Sequence, residues 1–368
     1  MDADGLSKSS LRPTVKRSLE RALAGRPLDR DEIIELLQSH GPEVEALRAA
    51  ADEVRRRSVG DAVHLRGVIE FSNYCRRNCL YCGLRAGNGD LERYRIDPEE
   101  IVDIAGRAGK LGYRTIVLQS GEDVTYDADT LVWVVRRIKG DLDAAVTIAV
   151  GDRPRDEYKA WREAGADRYL LKHETADPEL FSRLRPGTAL AERVEHLRWL
   201  KELGYQVGSG NMIGLPGQTI ASIADDLLLL RELDVEMAGI GPFIPNDQTP
   251  LADRPGGSLD QTLITLATAR LVLPFVHLPA TTATGSIDPR GRQKALGFGA
   301  NVIMPNVTPG RYRQDYRIYP NKICLTEEPE NCRPCVEAII TSLGRTVGRD
   351  YGHSPKAGFG PGRVEPTA

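Results

Sequence analysis

Between Val63 and Met304 the chain repeats one motif, a short apolar run followed by a stretch of helical period, and little else in it limits the fold so tightly. Eight runs can be counted: Val63 to Phe71, Thr115 to Gln119, Ala145 to Val150, Arg168 to His173, Gln206 to Ile213, Met237 to Phe243, His277 to Thr282 and Asn301 to Met304. Helix-like stretches separate them, at Pro98 to Leu111, Asp129 to Ile138, Arg155 to Ala164, Leu190 to Leu203, Ile220 to Leu233, Leu259 to Val272 and Arg290 to Gly297. Eight strand-helix units over roughly 240 residues match the length of a closed α/β (βα)8 barrel of the TIM type, with a doubly wound open sheet as the alternative. Ahead of the barrel, Asp29 opens a helix and Pro42 to Arg57 reads as another, so residues 1–60 are expected to form an N-terminal helical cap. The barrel itself spans 61–320. A C-terminal cysteine loop and helix follow at 321–352, and the tail 353–368, rich in Gly, Pro and charge, is expected to be disordered.

Composition removes several function classes. A net charge of -3 and a pI near 6.1 offer no basic field to gather nucleic acid or anionic lipid. No apolar run approaches the roughly 20 residues needed to cross a bilayer, and the N-terminus lacks a secretion-signal layout, so no membrane partner and a cytoplasmic location are expected. The six cysteines fall in two tight groups, 75/79/82 and 324/332/335, which is a ligand-like distribution rather than a disulfide framework.

In such barrels the loops at the carboxyl ends of the strands build the active site. There the first run delivers Cys75, Cys79 and Cys82, spaced Cys-x3-Cys-x2-Cys with Tyr81 before the last thiol. Structural zinc sites and ordinary electron-transfer clusters close with four protein ligands; three thiolates on a 4Fe-4S cube leave one iron open to a substrate. A zinc knuckle or simple exposed thiols are the alternatives. In the fourth run, period two puts Arg168, Leu170, Lys172 and Glu174 on one face, a charged lumen surface unless its ends lie in solvent. Gly208 to Thr219 looks like a phosphate loop but has neither Walker spacing nor the lysine. The second group, Cys324-x7-Cys332-x2-Cys335, again suggests an Fe-S cluster, 2Fe-2S or 4Fe-4S; zinc with an outside ligand, or a redox pair at Cys332 and Cys335, is the alternative. Its distance in sequence from the strand ends argues against a direct catalytic role.

The first cysteine motif resembles the radical S-adenosylmethionine (SAM) superfamily. That likeness implies a 4Fe-4S cluster on Cys75, Cys79 and Cys82, SAM chelated at the open iron, and reductive cleavage to a 5'-deoxyadenosyl radical. It further implies that Tyr81, Ser120, Glu122, Glu174 and Arg193 hold SAM, although Ser120-Gly121-Glu122 taken alone could be a turn and Arg193 a surface ion pair. Over Asp29 to Tyr351 the segments Cys79 to Arg85, Ile116 to Asp123, Ala166 to Thr175, Met212 to Thr219, Ile240 to Pro245, Asn301 to Asn306 and Tyr319 to Cys324 are similar to the HydE-type FeFe-hydrogenase maturases. Biotin synthases and methylornithine synthases share the barrel and the first motif. The closer resemblance implies a substrate cavity lined by Gln119, Ser120, Thr147, Arg168, Lys172, Met237, Thr281, Thr282, Met304 and Tyr316. It also implies a small organometallic or amino-acid-like substrate, a cysteine-bound Fe(CO)2CN precursor of the H-cluster. Implied partners are a tyrosine-lyase radical SAM maturase, a GTPase scaffold and a low-potential electron donor. One departure is Lys172, where that family carries arginine; lysine keeps the charge and loses the two-pronged carboxylate grip. A methylornithine-type mutase, a biotin-type enzyme and a non-catalytic Fe-S carrier are the alternatives; no cysteine falls on the later strands, where a sulfur inserter would want a second cluster.

Overall fold

The computed structural model describes residues 11–359. Three helices lead: α1 (Pro13–Leu23), α2 (Arg30–Leu37) and α3 (Pro42–Val59). The start of α2 is fixed by a capping box, Asp29 accepting from the Glu32 amide while the Glu32 side chain accepts from the Asp29 amide. Arg12 ties this unit together, its guanidinium bonding Glu43 Oε1 at 2.8 Å and Glu35 Oε2 at 3.0 Å. The unit packs on the outside of the barrel, α2 against the helix Ile220–Glu232 and α3 against the helix Leu259–Val272.

The strands are β1 (Ala62–Leu65), β2 (Gly67–Ser72), β3 (Thr115–Ser120), β4 (Ala145–Ala149), β5 (Arg168–Leu170), β6 (Gln206–Ser209), β7 (Met212–Ile213), β8 (Met237–Ala238), β9 (Gly241–Pro242), β10 (Val302–Ile303) and β11 (Thr346–Gly348). A parallel sheet runs β2-β3-β4-β5-β6-β8, and β10-β1-β11 forms another. Parallel bridges Met237 to His277 and Pro279 to Val302 join the two and close the circle. The first apolar run is divided: His64 and Leu65 pair with β10, and from Gly67 onward the pairing passes to β3. The seventh run forms only single bridges because Pro279 has no N–H for the ladder.

Period two then sorts the side chains. Ile116, Leu118, Val146, Ile148 and Tyr169 enter the main core between strands and outer helices; Val117, Ala149, Leu170, Val68 and Met304 cluster inside the barrel. The seven expected connecting helices are present, among them Pro98–Lys110 and Leu190–Glu202, and two unexpected ones, Pro178–Leu184 and Thr282–Ile287, complete the upper loops.

The C-terminus differs from expectation. Residues 360–368 lie outside the described part of the chain, but His353 to Phe359, expected to be disordered, begin as a packed strap under the barrel. His277 Nε2 lies 3.0 Å from the His353 carbonyl, Arg66 donates to Gly352 O at 3.2 Å, and the Ser354 amide donates to Gln206 Oε1 at 2.9 Å. Composition suggested disorder; contacts made to inward-facing polar groups at the barrel floor order the segment instead.

Candidate active site at the barrel mouth

Leaving β2, the chain forms a loop held by two polar hubs, Asn73 buried and Arg93 half-buried. Asn73, fully buried, donates to Glu92 O at 2.6 Å and Asp315 O at 2.8 Å and accepts the Tyr94 amide at 2.8 Å. Arg93 donates to the carbonyls of Leu84 at 2.9 Å, Arg85 at 2.8 Å and Asn88 at 3.2 Å. Arginine can span several carbonyls at once because it carries five donors in a rigid fork. The next loop presses directly on this one: a Cβ on Gly121 would stand 2.1 Å from the Tyr74 carbonyl and 2.8 Å from Cys75 Cβ. That proximity lets the Glu122 amide donate to Cys75 Sγ at 3.3 Å.

Cys75, Cys79 and Cys82 all line a cavity of about 230 Å³ at the barrel mouth, with Tyr81, Ser120, Glu122, Lys172, Glu174, Arg185 and Arg193. Burial pushes the Cys75 and Cys82 thiols up from their ordinary range, so their deprotonation needs a bound cation to compensate. Among the described residues no three His, Cys, Asp or Glu side chains converge closely enough to hold a single metal ion. Cubane ligands need no such convergence, since each thiolate binds a different iron. Three free thiols around one cavity, with no fourth protein sulfur there, fit an open 4Fe-4S cluster.

The other expected SAM residues arrive already engaged. Glu122 is buried, its Oε1 taking Nε of Arg76 and of Arg77, each at 2.8 Å. Arg193 projects from the helix Leu190–Glu202 to Asp152 at 3.0 Å, while its Nε and the Asp152 Oδ1 have no partner. Ser120 Oγ turns back to the Gly121 carbonyl at 2.6 Å. Glu174 takes a left-handed φ of 66° and lies 3.9 Å from the Lys172 ammonium. Arg185, not singled out by the sequence, donates to the Tyr81 hydroxyl at 2.9 Å and is buried with its Nε unpartnered.

Below this mouth a second cavity of about 330 Å³ continues down the lumen. It is lined by Gln119, Lys172, Met237, Thr281, Thr282 and Met304, all among the residues that the closer resemblance names for a substrate cavity, and by Glu70, Arg292, Tyr319 and Lys322, which it does not name. Gln119 donates to the Tyr316 hydroxyl at 3.3 Å, and the Lys322 ammonium stands 5.0 Å from the Tyr316 ring centre. Glu70 pairs with Lys322 and accepts from Asn306 Nδ2 at 2.6 Å. Thr147 and Arg168 stand apart from it, on a void of only about 10 Å³ near the floor. There Arg168 donates to the Tyr351 carbonyl at 2.6 Å and faces His353 Nδ1 at 2.9 Å, and burial lowers its pKa to about 10. Expected to grip substrate, Arg168 is instead occupied by the strap.

The second cysteine group also sits elsewhere than expected. Cys332 and Cys335 lie within a helix, Pro329–Ser342, and both Cys324 and Cys332 line the wall of the 330 Å³ cavity. Remoteness in sequence therefore did not mean remoteness in space. Cys335 is exposed. A hydrogen bond with Cys332, and the Arg292 guanidinium beside it, draw the Cys324 thiol below its usual range.

A closed parallel barrel with three thiols at its mouth and a cavity running inward from them defines a radical SAM enzyme. Comparison with known proteins agrees. The radical SAM superfamily profile matches residues 69–230. The chain is 55% identical over 308 residues, 84% of its length and 88% of the relative's, to the FeFe hydrogenase maturase subunit HydE of Thermotoga maritima. It is 31% identical to the 3-methylornithine synthase of Methanosarcina acetivorans over 77% of this chain and 81% of that one. The crystal structure of a methylornithine synthase superposes with a TM-score of 0.80 at 27% identity, covering 90% of this chain and 97% of that one. This chain belongs to the radical SAM superfamily and, within it, to the HydE family. Among the described residues no helix is long and apolar enough to cross a membrane.

Proposed function

We propose that this enzyme acts in assembly of the FeFe-hydrogenase H-cluster, on a cysteine-bound Fe(CO)2CN precursor. The observation that carries this reading is the 55% identity over 84% of the chain to a maturase subunit. In this reading a tyrosine-lyase radical SAM maturase supplies the precursor, a GTPase scaffold receives the product, and a low-potential donor provides electrons.

Cys75, Cys79 and Cys82 would hold a 4Fe-4S cluster, which when bound would supply the electron for reductive cleavage of SAM. The chain's residues do the rest. Arg193 and Arg185, both buried with unpartnered Nε atoms, provide positive charge for the SAM carboxylate. Glu174, at the rim, faces the SAM amino group or ribose, and Tyr81, oriented by Arg185, forms the wall between mouth and lumen. Val68, Leu170, Met237 and Phe243 give the lumen an apolar lining that keeps water from a reactive carbon radical. Lys172 is the lumen cation nearest the mouth and takes over the anion contact at which family members carry arginine. Cys324, Cys332 and Cys335 hold a second Fe-S cluster, 2Fe-2S or 4Fe-4S.

The test is anaerobic cell-free maturation of an apo FeFe-hydrogenase with the partner maturases, adding this protein intact or as Cys79→Ala. Hydrogen evolution that requires the intact protein supports the reading. Production of 5'-deoxyadenosine without hydrogenase activation would remove the substrate assignment and leave the radical SAM chemistry standing.

A further inference from the structure

Two carboxylates and three cationic side chains line the 330 Å³ cavity: Glu70, Glu174, Lys172, Arg292 and Lys322. Four of them form opposite-charge pairs, Glu70 with Lys322 and Lys172 with Glu174. Arg292 is left over. It is 6% exposed, and among the described residues no carboxylate lies within salt-bridge distance of it. Among the described residues its one oxygen partner is distant, Thr282 Oγ1 at 3.4 Å from Nη2, its Nε has no partner, and the remaining neighbour of the guanidinium is the Cys324 thiol. A buried guanidinium without a counter-charge is costly unless something anionic meets it. Gly291 admits the tight turn that presents it, where a Cβ would stand 2.0 Å from Thr284 O.

We propose that Arg292, with Thr282, anchors the carboxylate of an amino-acid-derived substrate at the wall of the cavity. The assignment deepens the proposed function and rests on its substrate class. It also completes the charge pattern: against the two carboxylates Glu70 and Glu174 stand the three cations Lys172, Arg292 and Lys322, leaving one positive charge for a monoanion to neutralise. A neighbouring thiolate at Cys324 is the other candidate for that charge, and the experiment separates the two.

Cluster-loaded, SAM-saturated protein is titrated anaerobically by calorimetry with S-methyl-L-cysteine and with its carboxamide; the thioether avoids direct thiolate attack on iron. Wild type is expected to favour the carboxylate by about 10–100-fold, the range for a charge-assisted contact. In Arg292→Gln the two probes are expected to bind within about threefold of each other, and Arg292→Lys, which keeps the charge and loses the fork, is expected to fall between. The double variant Cys324→Ser/Cys332→Ser is expected to keep the wild-type preference. Three results would overturn the proposal: no carboxylate preference in wild type, an unchanged preference in Arg292→Gln, or its loss in the double serine variant as in Arg292→Gln. Should Arg292→Gln not fold, a wild-type preference in Arg292→Lys overturns it and a reduced one supports it. Formation of 5'-deoxyadenosine in the same preparations tests the enzyme reading separately, so either can fail alone.

Discussion

Replacing Gly121 by alanine should cost this enzyme its cluster before it costs the fold. The added methyl would lie 2.1 Å from the Tyr74 carbonyl oxygen and 2.8 Å from Cys75 Cβ. The first distance is roughly 1.4 Å inside an ordinary contact of about 3.5 Å, and a carbonyl cannot rotate aside as a flexible side chain can. Either the cysteine loop or the β3 loop must therefore shift by about 1 Å, breaking the Glu122 amide bond to Cys75 Sγ. Overpacking of this kind costs about 1–3 kcal/mol, tolerable for a domain of this size. A displacement near 1 Å at reacting groups costs about 100-fold in rate. The assay is iron and sulfide content per chain after anaerobic reconstitution, followed by 5'-deoxyadenosine formation under a strong reductant. Gly89→Ala, in the cysteine loop that Gly121 presses on, serves as control, since a Cβ there meets nothing within 4 Å. If Gly121→Ala keeps its iron and turns over within about twofold of Gly89→Ala, the argument from close approach is wrong.

Other outcomes follow from the lumen and the floor. Glu70→Ala strands the buried Lys322 ammonium and should destabilise by about 3–5 kcal/mol, while Glu70→Ala/Lys322→Met recovers most of that loss; equal urea midpoints for the two variants would refute the pairing. His353 is held down to about 4, first by burial and then by the nearby Arg168, with Arg66 and Lys139 acting in the same sense and Asp167 against them. Because its folded pKa lies below the unfolded value of about 6.5, its contribution is complete above that value and is lost as pH falls toward about 4. Protection factors in residues 350–356, with the intrinsic pH dependence of amide exchange divided out, should accordingly fall between pH 7 and pH 5 in wild type, and much less so in His353→Gln. An acid-insensitive strap in wild type would contradict this.

Much of the molecule was legible from local pattern. Ile116, Val117 and Leu118 announce alternation, and they do divide between core and lumen. Most helices between strands end within a residue or two of where their apolar period stops, as Pro98–Lys110 and Leu190–Glu202 show, while Ala128–Asp141 runs three residues past Ile138. The seventh strand was over-read, because Pro279 removes a donor that a run of apolar letters does not reveal. At the site, Cys75, Cys79 and Cys82 were visible since eight residues of loop carry their whole spacing. Arg185 and Arg292 were invisible: one precedes a Pro-Gly turn, the other sits on a short polar helix, and nothing nearby in sequence marks either as buried.

The sequence by itself determined the parallel α/β alternation, the strand faces and the three-thiol loop, because each depends on residues a few positions apart. Tertiary structure alone decided which charges meet. Glu70 finds Lys322 across 252 positions, and Arg168 finds the Tyr351 carbonyl across 183. Closing the barrel brought Cys324 and Cys332 to the same cavity as Cys82, and made His353 and Ser354, the first residues of an expected disordered tail, part of the floor. Burial makes an unpaired charge costly, yet whether a charge is buried and what stands opposite it are set by chain closure.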